Sequence, residues 1–331
     1  MGSEVYAVIG SNCFTGSHIV DGLLENPSNF VIGLSRSPEK SDLFLPYKKR
    51  NSKNFKFFQV DLFRQTDQLM TLLDEFQPSC VINVAALSEV GLSNFQPVEY
   101  FQTNALGVVR LCNQLRSRKY LKRYIHISSA EVYGSCAAPL LESAPLQPST
   151  PYAVSKAAAD MYLMSLHKNF NFPAVLIRST NVYGRHQQLY KIIPRTIIYL
   201  KKGQKLELHG GGKAIKTWVH IRDVVNGILL SAKMGKPGEI YHFSDQNSYS
   251  IFELVRKICQ LMNKDFASST TSVGERLGQD AQYLSDYSKA KRELNWAPKI
   301  SFEQGLKETV AWLEENWDQT VNESLVYVHQ V

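Results

Sequence analysis

Tyr152 and Lys156 have side chains and a spacing that suit acid–base chemistry. They lie four residues apart after Pro151, so they share one face of a predicted helix. An ammonium group beside a phenol favours the phenolate and lowers a pKa that is otherwise about 10. We therefore predict that Tyr152, with Lys156 as its partner, takes a proton from a hydroxyl group while a hydride leaves the same carbon.

Ser129 and Glu131 follow a predicted buried strand over residues 124–127. Ser129 is placed to hydrogen-bond the reacting oxygen, and Glu131 can reach a neighbouring carbon. A tyrosine and a lysine four residues apart are also common on solvated helix faces, so that pair alone is a weak signal. The serines and the glutamate at the strand end make the signal much stronger.

The first predicted strand, residues 5–9, leads into a glycine-containing loop and then a helix. A loop of this kind suits a pyrophosphate, because free N–H groups and the helix dipole point towards it. The middle glycine of the usual dinucleotide fingerprint is Cys13 here, which weakens the motif. A structural turn is the alternative. The predicted cofactor contacts in this loop are Gly10, Asn12, Cys13, Phe14, Thr15 and Gly16.

The second predicted strand, residues 30–34, ends in Ser35, Arg36 and Ser37. An acidic residue at this strand end would accept from the ribose 2′-hydroxyl of NAD, and none is present before Glu39. A guanidinium between two hydroxyls instead suits the 2′-phosphate of NADP. The sequence therefore predicts NADP, with NAD possible, unless Arg36 is simply an exposed loop residue.

The remaining strands alternate with helical segments, which predicts an α/β fold of the Rossmann type with a doubly wound parallel sheet. Residues 55–60 and 80–86 read as strands, residues 67–76 and 98–115 as helices. Further predicted cofactor contacts at their ends are Asp61, Leu62, Ala85, Ala86 and Asn104, together with Tyr152 and Lys156.

No clean linker divides the chain, so the two predicted parts are interleaved in sequence. We expect a dinucleotide-binding domain over residues 1–183 with a return segment at 219–244, where residues 239–243 add a strand. A smaller α/β substrate-binding lobe, discontinuous in sequence, takes residues 184–218 and 245–320. Residues 321–331 read as an appended C-terminal tail.

These stretches, in this order, resemble the extended short-chain dehydrogenase/reductase superfamily and, within it, the nucleotide-sugar 4,6-dehydratases. The stretches that carry the resemblance are residues 10–16, 61–62, 103–104, 127–134, 152–156, 178–184 and 218–223. The dehydratase assignment depends chiefly on Glu131, because epimerases of the superfamily usually have a small or apolar residue there.

The resemblance implies an internal hydride transfer with four catalytic residues, Ser129, Glu131, Tyr152 and Lys156. Tyr152 would take the C4 hydroxyl proton of a nucleotide-diphosphate hexose, and Glu131 would remove the C5 proton before water leaves from C6. In dTDP-glucose dehydratases an Asp supplies the acid where this chain has Ala130. GDP-mannose dehydratases also lack that Asp, use the glutamate as sole acid/base and favour NADP, in agreement with Arg36.

The resemblance also places substrate contacts in the second half of the chain and near residue 88. A histidine of the dTDP-glucose enzymes is Glu89 here, which faces either the sugar or solvent. Lys191 is either a diphosphate ligand or a surface lysine. The complete set of predicted substrate contacts is Ser88, Glu89, Asn181, Lys191, Lys216 and Arg276.

Composition excludes several other classes of protein. The chain has 331 residues and a net charge of +7 without a long basic run, which favours an anionic ligand such as a nucleotide over nucleic acid. Its five cysteines are scattered, so neither disulfides nor a metal site is predicted. Because no signal peptide or long apolar run is recognised, we expect a cytoplasmic protein that does not enter a membrane.

A homodimer is expected from two helices, over residues 98–115 and 152–167, which in relatives pair across a two-fold axis. The alternative is that both helices simply pack on their own sheet. The apolar residues on which this prediction depends are Val108, Leu111, Leu115, Ala157, Met161, Met164 and Leu166.

Three other functions stay open. A nucleotide-sugar 4-epimerase needs no C5 base. A decarboxylase would need an anchor for a sugar carboxylate, and none is recognised. A non-catalytic cofactor-binding regulator is disfavoured by the intact Ser129, Tyr152 and Lys156. The base and the hexose of the substrate are not predicted.

Overall fold

The computed structural model describes residues 4–275 and 282–327. Within this part of the chain, twelve strands form three sheets. The strands are β1 (Glu4–Ile9), β2 (Asn29–Ser35), β3 (Phe55–Gln59), β4 (Cys80–Asn83), β5 (Arg123–Ile127), β6 (Ala174–Ser179), β7 (Asn181–Tyr183), β8 (Leu206–His209), β9 (Ile215–His220), β10 (Ile240–Phe243), β11 (Ser248–Ser250) and β12 (Thr270–Val273).

The helices mostly lie between consecutive strands. They are α1 (Phe14–Leu23), α2 (Thr66–Phe76), α3 (Val90–Ser93), α4 (Pro97–Phe101), α5 (Gly107–Leu115), α6 (Pro151–Phe170), α7 (Ile192–Lys201), α8 (Ile221–Met234), α9 (Ile251–Leu261), α10 (Phe266–Ser269), α11 (Ser288–Leu294), α12 (Phe302–Glu315) and α13 (Trp317–Thr320). In the described ranges, no helix is both long enough and apolar enough to span a bilayer.

The central sheet has seven strands in the order β10-β6-β5-β4-β1-β2-β3, and every neighbouring pair is parallel. The chain winds outward from β1 to β3 and then returns to continue from β4 on the other side. The strand order therefore reverses between β1 and β4, and in such sheets ligands bind outside the carboxyl ends of the strands at this point. The predicted Rossmann-type fold is confirmed.

Alternating residues of each strand enter two different cores, one on each face of the sheet. In β1, Val8 packs with the side of the sheet that α1 and α8 cover, whereas Ala7 and Ile9 pack with the opposite side. All three are almost fully buried, at 0–2% exposure. This is why the strands of the sheet read as nearly continuous apolar runs.

A third apolar core lies outside the central sheet, among α7, α9 and α12. Two small sheets accompany it, one ordered β11-β9-β7 and one that pairs β12 with β8. β10 returns to the central sheet beside β6, where residues 239–243 were expected to add a strand. The division into a cofactor domain and a substrate lobe stays a prediction.

The segment expected as one helix over residues 98–115 is helical throughout and contains a π-helical turn. α4 passes into a π-helical turn, Gln102–Leu106, before α5 begins. A π turn inserts a residue into the helix, and it is a common device for turning one side chain towards a site. Here the side chain is Asn104, whose amide lies buried between two other elements.

Most of the apolar residues on which the dimer prediction depended lie in the core of their own chain. Val108, Leu111 and Leu115 are fully buried against the sheet, and Ala157 and Leu166 are at most 5% exposed. For these residues the alternative of packing on their own sheet is correct.

A different set of apolar side chains is exposed on the same helices. Val98 is 62% exposed, Leu106 49%, Val154 38% and Met161 66%. α4 and the π turn both pack against α6, so these side chains lie on neighbouring elements.

A buried ion pair joins β6 to α6. Asp160 and Arg178 are 1% and 2% exposed, and Arg178 Nε donates to Asp160 Oδ2 at 2.9 Å. The same carboxylate oxygen accepts from Ser128 Oγ at 2.8 Å, so the end of β5 is tied to α6 as well. A buried charge keeps its ionised form only with such partners.

The Arg178 guanidinium extends this hydrogen-bond network to Tyr133 and His242. Arg178 Nη1 donates to Tyr133 Oη at 2.5 Å, and that hydroxyl lies 2.7 Å from His242 Nε2. The Asp286 carbonyl beside His242 Nδ1 can only accept, so Nδ1 carries the proton of the neutral ring and Nε2 accepts from Tyr133 Oη. Nδ1 of His242 then donates to the Asp286 carbonyl at 3.0 Å. Burial lowers the pKa of His242 to about 3, so the ring is neutral.

We predict that Arg178→Leu lowers the free energy of unfolding by about 3–5 kcal/mol, because it leaves the Asp160 carboxylate buried without its cation. Chemical denaturation of the purified protein measures the change. Arg292→Leu is the matched control, because the Arg292 side chain is 66% exposed and its removal should change stability by less than about 0.5 kcal/mol. Equal effects in the two variants would contradict the role assigned to the pair.

Candidate active site

A cleft of about 480 Å³ lies at the carboxyl ends of β1 to β6. The loops after these strands form one wall, and the first turns of α6 and the loop before α7 form the other. The cleft includes the reversal point between β1 and β4. It therefore lies where a doubly wound sheet is expected to bind its ligand.

Tyr152 and Lys156 lie on the first two turns of α6. Thr150 caps this helix by accepting from the N–H of Ala153 at 3.2 Å, and Pro151 occupies the first helical position. Tyr152 is 8% and Lys156 1% exposed, and both line the cleft. The cap and the proline fix where the helix begins, and therefore where both side chains enter the cleft.

The Lys156 ammonium is held by the end of β5. Its Nζ donates to the Ile127 carbonyl at 2.6 Å and lies 3.4 Å from His126 Nε2. Burial lowers the pKa of Lys156 to about 8, although the Asp160 carboxylate acts in the opposite direction. Burial, with the charges of Lys156 and Arg178, also keeps the pKa of His126 well below its usual value, so that ring is neutral.

The expectation that Lys156 lowers the pKa of Tyr152 is not met. Burial raises the pKa of the Tyr152 phenol, and the Glu131 carboxylate raises it further. The hydrogen bond with Ser129 is the influence that lowers it. Desolvation of the phenolate therefore outweighs the other effects in the ligand-free cleft.

Ser129 and Glu131 meet Tyr152 from the strand side. Ser129 caps a 3₁₀ turn, Ala130–Tyr133, and its Oγ accepts from the backbone N–H of Glu131 at 3.2 Å. The effects of Ser129 and Glu131 on the pKa of Tyr152 place both side chains beside the phenol. A hydroxyl, a carboxylate and a phenol thus converge on one part of the cleft.

The glycine loop after β1 leaves no room for side chains at its two glycines. A Cβ on Gly10, which has φ of +90°, would lie 2.7 Å from the backbone nitrogen of Ala85. A Cβ on Gly16 would lie 2.1 Å from the Gly10 carbonyl oxygen. Cys13 caps α1 through its sulfur, which accepts from the Gly16 N–H at 3.2 Å. Sulfur is a weak acceptor, so the helix start remains suited to an anion.

Asn12 shapes the strand end that follows β2. Its Nδ2 donates to the carbonyls of Ser37 and Pro38 at 2.8 and 2.7 Å, and its backbone N–H donates to Ser35 Oγ at 3.0 Å. Asn12 Oδ1 is buried without a hydrogen-bond partner, which leaves an acceptor at the edge of the cleft. The Ser35 hydroxyl is buried and used within the loop, so it is not presented to a ribose.

Arg36 lies at this strand end and lines the cleft. Its Nε is 4.0 Å from Asp61 Oδ2, while Asp61 Oδ1 accepts from the backbone N–H groups of Phe63 and Arg64 at 2.8 and 2.7 Å. Lys40 lines the same region, and burial lowers its pKa. Two cations and one carboxylate therefore face this end of the cleft.

Asn104 lies behind the cleft wall. Its amide accepts from the Leu87 N–H at 2.8 Å and donates to the Leu87 carbonyl and to Ser155 Oγ, both at 3.0 Å. The side chain is fully buried. It joins the loop after β4 to α6, and this corrects the expectation that Asn104 contacts the cofactor.

Three side chains gather at the substrate end of the cleft. Tyr283 Oη donates to Asn181 Oδ1 at 2.9 Å, and Asn181 Nδ2 donates to the Thr217 carbonyl at 3.2 Å. Lys216 Nζ lies over the Tyr283 ring, 4.3 Å from its centroid. Lys216 thus lies beside Tyr283, which lines the cleft.

Glu89 and Lys191 form an ion pair between the loop after β4 and the start of α7. The side chains are 15% and 33% exposed, so both are partly shielded from water. The Glu89 carbonyl also accepts from Tyr100 Oη at 2.6 Å, which fixes the loop. Glu89 is therefore not a solvated loop acid, and Lys191 is not a lone surface lysine.

Most of the predicted site residues line the cleft. These are Gly10, Asn12, Cys13, Phe14, Thr15, Ser35, Arg36, Ser37, Asp61, Leu62, Ala85, Ala86, Ser88, Ser129, Glu131, Tyr152, Lys156, Asn181 and Lys191. Gly16, Glu89, Asn104 and Lys216 lie behind or beside its wall. Arg276 lies outside the described residues.

Sequence reasoning missed several residues of the cleft wall. These are Lys40, Thr103, Gln187, Gln188, Tyr190, Tyr283 and Tyr327. Lys40, four residues after Arg36, could have been identified from the sequence as a second cation near the same strand end. Tyr327 carried no signal, because it lies in the stretch interpreted as an appended tail.

The part of the chain that the structure describes contains no cluster of side chains that could bind a metal ion. No group there brings together three or more histidine, cysteine, aspartate or glutamate side chains in a position to hold an ion.

Proteins similar to this chain include nucleotide-sugar 4,6-dehydratases. The family model described as GDP-mannose 4,6 dehydratase matches residues 8–309. The dTDP-D-glucose 4,6-dehydratase of Homo sapiens is 32% identical over 322 residues, which cover 95% of this chain and 91% of the relative.

Two solved structures show how far the likeness extends. The dTDP-glucose 4,6-dehydratase DesIV of Streptomyces venezuelae, with NAD and TYD bound, is 30% identical, with a TM-score of 0.88 over 95% of this chain and 98% of that one. The UDP-glucose 4-epimerase of Thermotoga maritima, with UDP-glucose, is 25% identical, with a TM-score of 0.86 over 95% and 99%.

The dehydratases are thus more similar in sequence than the epimerase, although both share the fold. The prediction of a nucleotide-sugar 4,6-dehydratase is confirmed, and the chain belongs to the GDP-mannose 4,6 dehydratase family, within the extended short-chain dehydrogenase/reductase superfamily.

Proposed function

We propose that this chain converts a nucleotide-diphosphate hexose to its 4-keto-6-deoxy derivative by internal hydride transfer. The observation that carries the proposal is the convergence of Ser129, Glu131 and Tyr152 at one end of the cleft. A 4-epimerase needs the tyrosine and the serine but no carboxylate at C5. The presence of Glu131 beside the phenol therefore favours dehydration.

Each of these residues has a distinct role in the proposed reaction. Tyr152 takes the proton of the C4 hydroxyl, and Ser129 hydrogen-bonds the same oxygen. The 4-ketone acidifies the C5 proton, which Glu131 removes. The same carboxyl, once protonated, then supplies the proton with which the C6 hydroxyl leaves as water. When hydride returns to C6, C5 takes up a proton, which balances the one that Tyr152 removed from the C4 hydroxyl. With Ala130 at the neighbouring position, Glu131 serves as both base and acid.

The cleft fits a nicotinamide dinucleotide. Gly10 and Gly16 let the loop pack against Ala85 and turn tightly on itself, which places the loop at the start of α1, where N–H groups suit a pyrophosphate. When bound, the nicotinamide accepts hydride from C4 and supplies it to C6 within one turnover. Lys156 and Tyr152 line the end of the cleft where this ring would lie.

We propose that the bound dinucleotide is NADP, because of the charged side chains at this end of the cleft. Arg36 and Lys40 face the strand end where a 2′-phosphate would lie, and Asp61 is partly engaged by backbone N–H groups. A charge-assisted hydrogen bond is worth about 1.5–3 kcal/mol. The solved dehydratase named above holds NAD, so the experiment below decides between the two.

The diphosphate of the substrate is assigned to the other side of the cleft. Lys191 is its proposed cation, and Asn181 and Ser88 line the same region. Glu89 and Lys216 act from beside the wall, through Lys191 and Tyr283 respectively. Arg276, outside the described residues, stays a predicted ligand. The whole chain is proposed to act in the cytoplasm.

We also propose a homodimer, now on the exposed apolar side chains of α4, the π turn and α6. Val98, Leu106, Val154 and Met161 are 38–66% exposed. Burying such side chains against a second copy contributes roughly 25 cal/mol per Å² of apolar surface.

Glu131→Gln should reduce formation of the 4-keto-6-deoxy product by about 10²–10⁴-fold, because the amide cannot remove the C5 proton. Oxidation at C4 needs only Tyr152 and Ser129, so reduced dinucleotide should accumulate when substrate is added. Absorbance of the reduced nicotinamide and product analysis measure the two effects.

Tyr152→Phe is the comparison variant, and it should give neither reduced dinucleotide nor product. An epimerase would behave differently, since Glu131→Gln would then leave turnover nearly intact. That outcome would replace the dehydratase with the epimerase.

Arg36→Ala should remove a preference for NADP over NAD of about tenfold or more, because the 2′-phosphate loses its guanidinium. Titration of the stripped protein with each dinucleotide measures both dissociation constants. Arg64→Ala is the control, since Arg64 is an exposed cation outside the cleft wall. Tighter binding of NAD by the unaltered protein would overturn the choice of NADP.

Met161→Glu should shift the protein from dimer to monomer in sedimentation at micromolar concentration, because a carboxylate would be buried without a partner. Met234→Glu is matched in chemistry, since Met234 is 44% exposed at the end of α8 and away from α6. A monomeric unaltered protein would rule out the dimer.

A further inference from the structure

The chain beyond α12 returns to the cleft. After α13, Lys202 Nζ donates to the Val321 carbonyl at 3.4 Å, and Leu325 packs against the third core. Tyr327 then forms part of the cleft wall. Residues 321–331 were expected to be an appended C-terminal tail, and this division stays a prediction. Their described part, residues 321–327, packs against the rest of the chain. They also lie beyond residues 8–309, which the family model matches.

Tyr327 meets Tyr190, which lies just before α7. The ring centroids are 5.3 Å apart and the planes are inclined at 70°, an edge-to-face contact. Burial raises the pKa of Tyr190, and the charges that act on it include those of Glu89 and of Cys13 in the glycine loop. Tyr190 and Cys13 both line the cleft, and Tyr190 therefore lies within electrostatic range of the glycine loop.

Two charges locate Tyr327 along the length of the cleft. Burial raises the pKa of its phenol, the Glu89 carboxylate raises it further, and Arg36 acts in the opposite direction. Tyr327 thus lies within electrostatic range both of the strand end after β2 and of the loop after β4. This position is between the two ends of the cleft.

A dinucleotide in this cleft extends from Arg36 to Tyr152 and passes the glycine loop between them. Tyr190 and Tyr327 line the same cleft. We propose that Tyr327, held by its ring contact with Tyr190, is part of the dinucleotide site and slows release of the cofactor. This proposal rests on the proposed function, in which the dinucleotide is regenerated in every turnover and need not leave.

The test measures release of the dinucleotide and does not depend on turnover. NADPH and NADH are the probes, each loaded on the stripped protein and displaced by excess oxidised dinucleotide while its fluorescence is followed. Tyr327→Ala should release the probe about tenfold faster, since an aromatic contact of this kind is worth up to about 1.5 kcal/mol. Tyr190→Leu should have the same effect.

Two variants separate the ring contact from a general effect on the segment. Tyr327→Phe keeps the ring and should release the probe at the unaltered rate. Val326→Ala changes the preceding side chain, which is 71% exposed, and should also leave the rate unaltered.

Release from Tyr327→Ala at the unaltered rate would overturn this proposal and leave the proposed dehydratase intact. Failure of the unaltered protein to bind either dinucleotide would instead overturn the proposed function, and this inference with it.

Discussion

The ion pair between Asp160 and Arg178 fixes the geometry on which the catalytic end of the cleft depends. It joins α6, which carries Tyr152 and Lys156, to β6 of the central sheet. Ser128, which lies between β5 and Ser129, donates to the same carboxylate and so ties the end of β5 to α6. The helix and the two strands are thereby held in one relative position. A small displacement of α6 would separate the phenol from Ser129 and Glu131, so a buried network with no substrate contact sets the precision of the site.

Much of the fold could be predicted from the sequence, because the strands of the central sheet are buried on both faces. Their runs of valine, isoleucine and phenylalanine, each followed by small or polar residues, identify the strands and the ends where ligands bind. The glycine loop and the pair Tyr152 and Lys156 could be found for the same reason, since each has a fixed place at a strand end or helix start. The π turn within the helix expected over residues 98–115 could not be predicted, because a one-residue π insertion hardly changes the apolar period.

The parts that could not be predicted depend on contacts between distant residues. Spacing indicates that Lys156 accompanies Tyr152, but only the burial of the phenol shows that desolvation dominates its pKa. Asparagine side chains can serve a ligand or the backbone with equal ease, so Asn104 could not be assigned from its type. Tyr327 reaches the cleft because α12 and α13 direct the chain back to Tyr190, and no local pattern encodes that return.

The ion pair between Glu89 and Lys191 affects how an anionic ligand binds in the cleft. If a substrate diphosphate binds Lys191, as proposed, it exchanges one anionic partner of the ammonium for another, so the binding reaction would be an ion exchange. Salt weakens the original pair as well as the new one, and the two effects partly cancel. The affinity for the diphosphate should therefore fall less steeply with ionic strength than it would for a solvated lysine without an ion-pair partner. The displaced Glu89 carboxylate would at the same time become an acceptor beside the bound ligand, which gives the loop after β4 a means of distinguishing ligands with hydroxyl groups from those without.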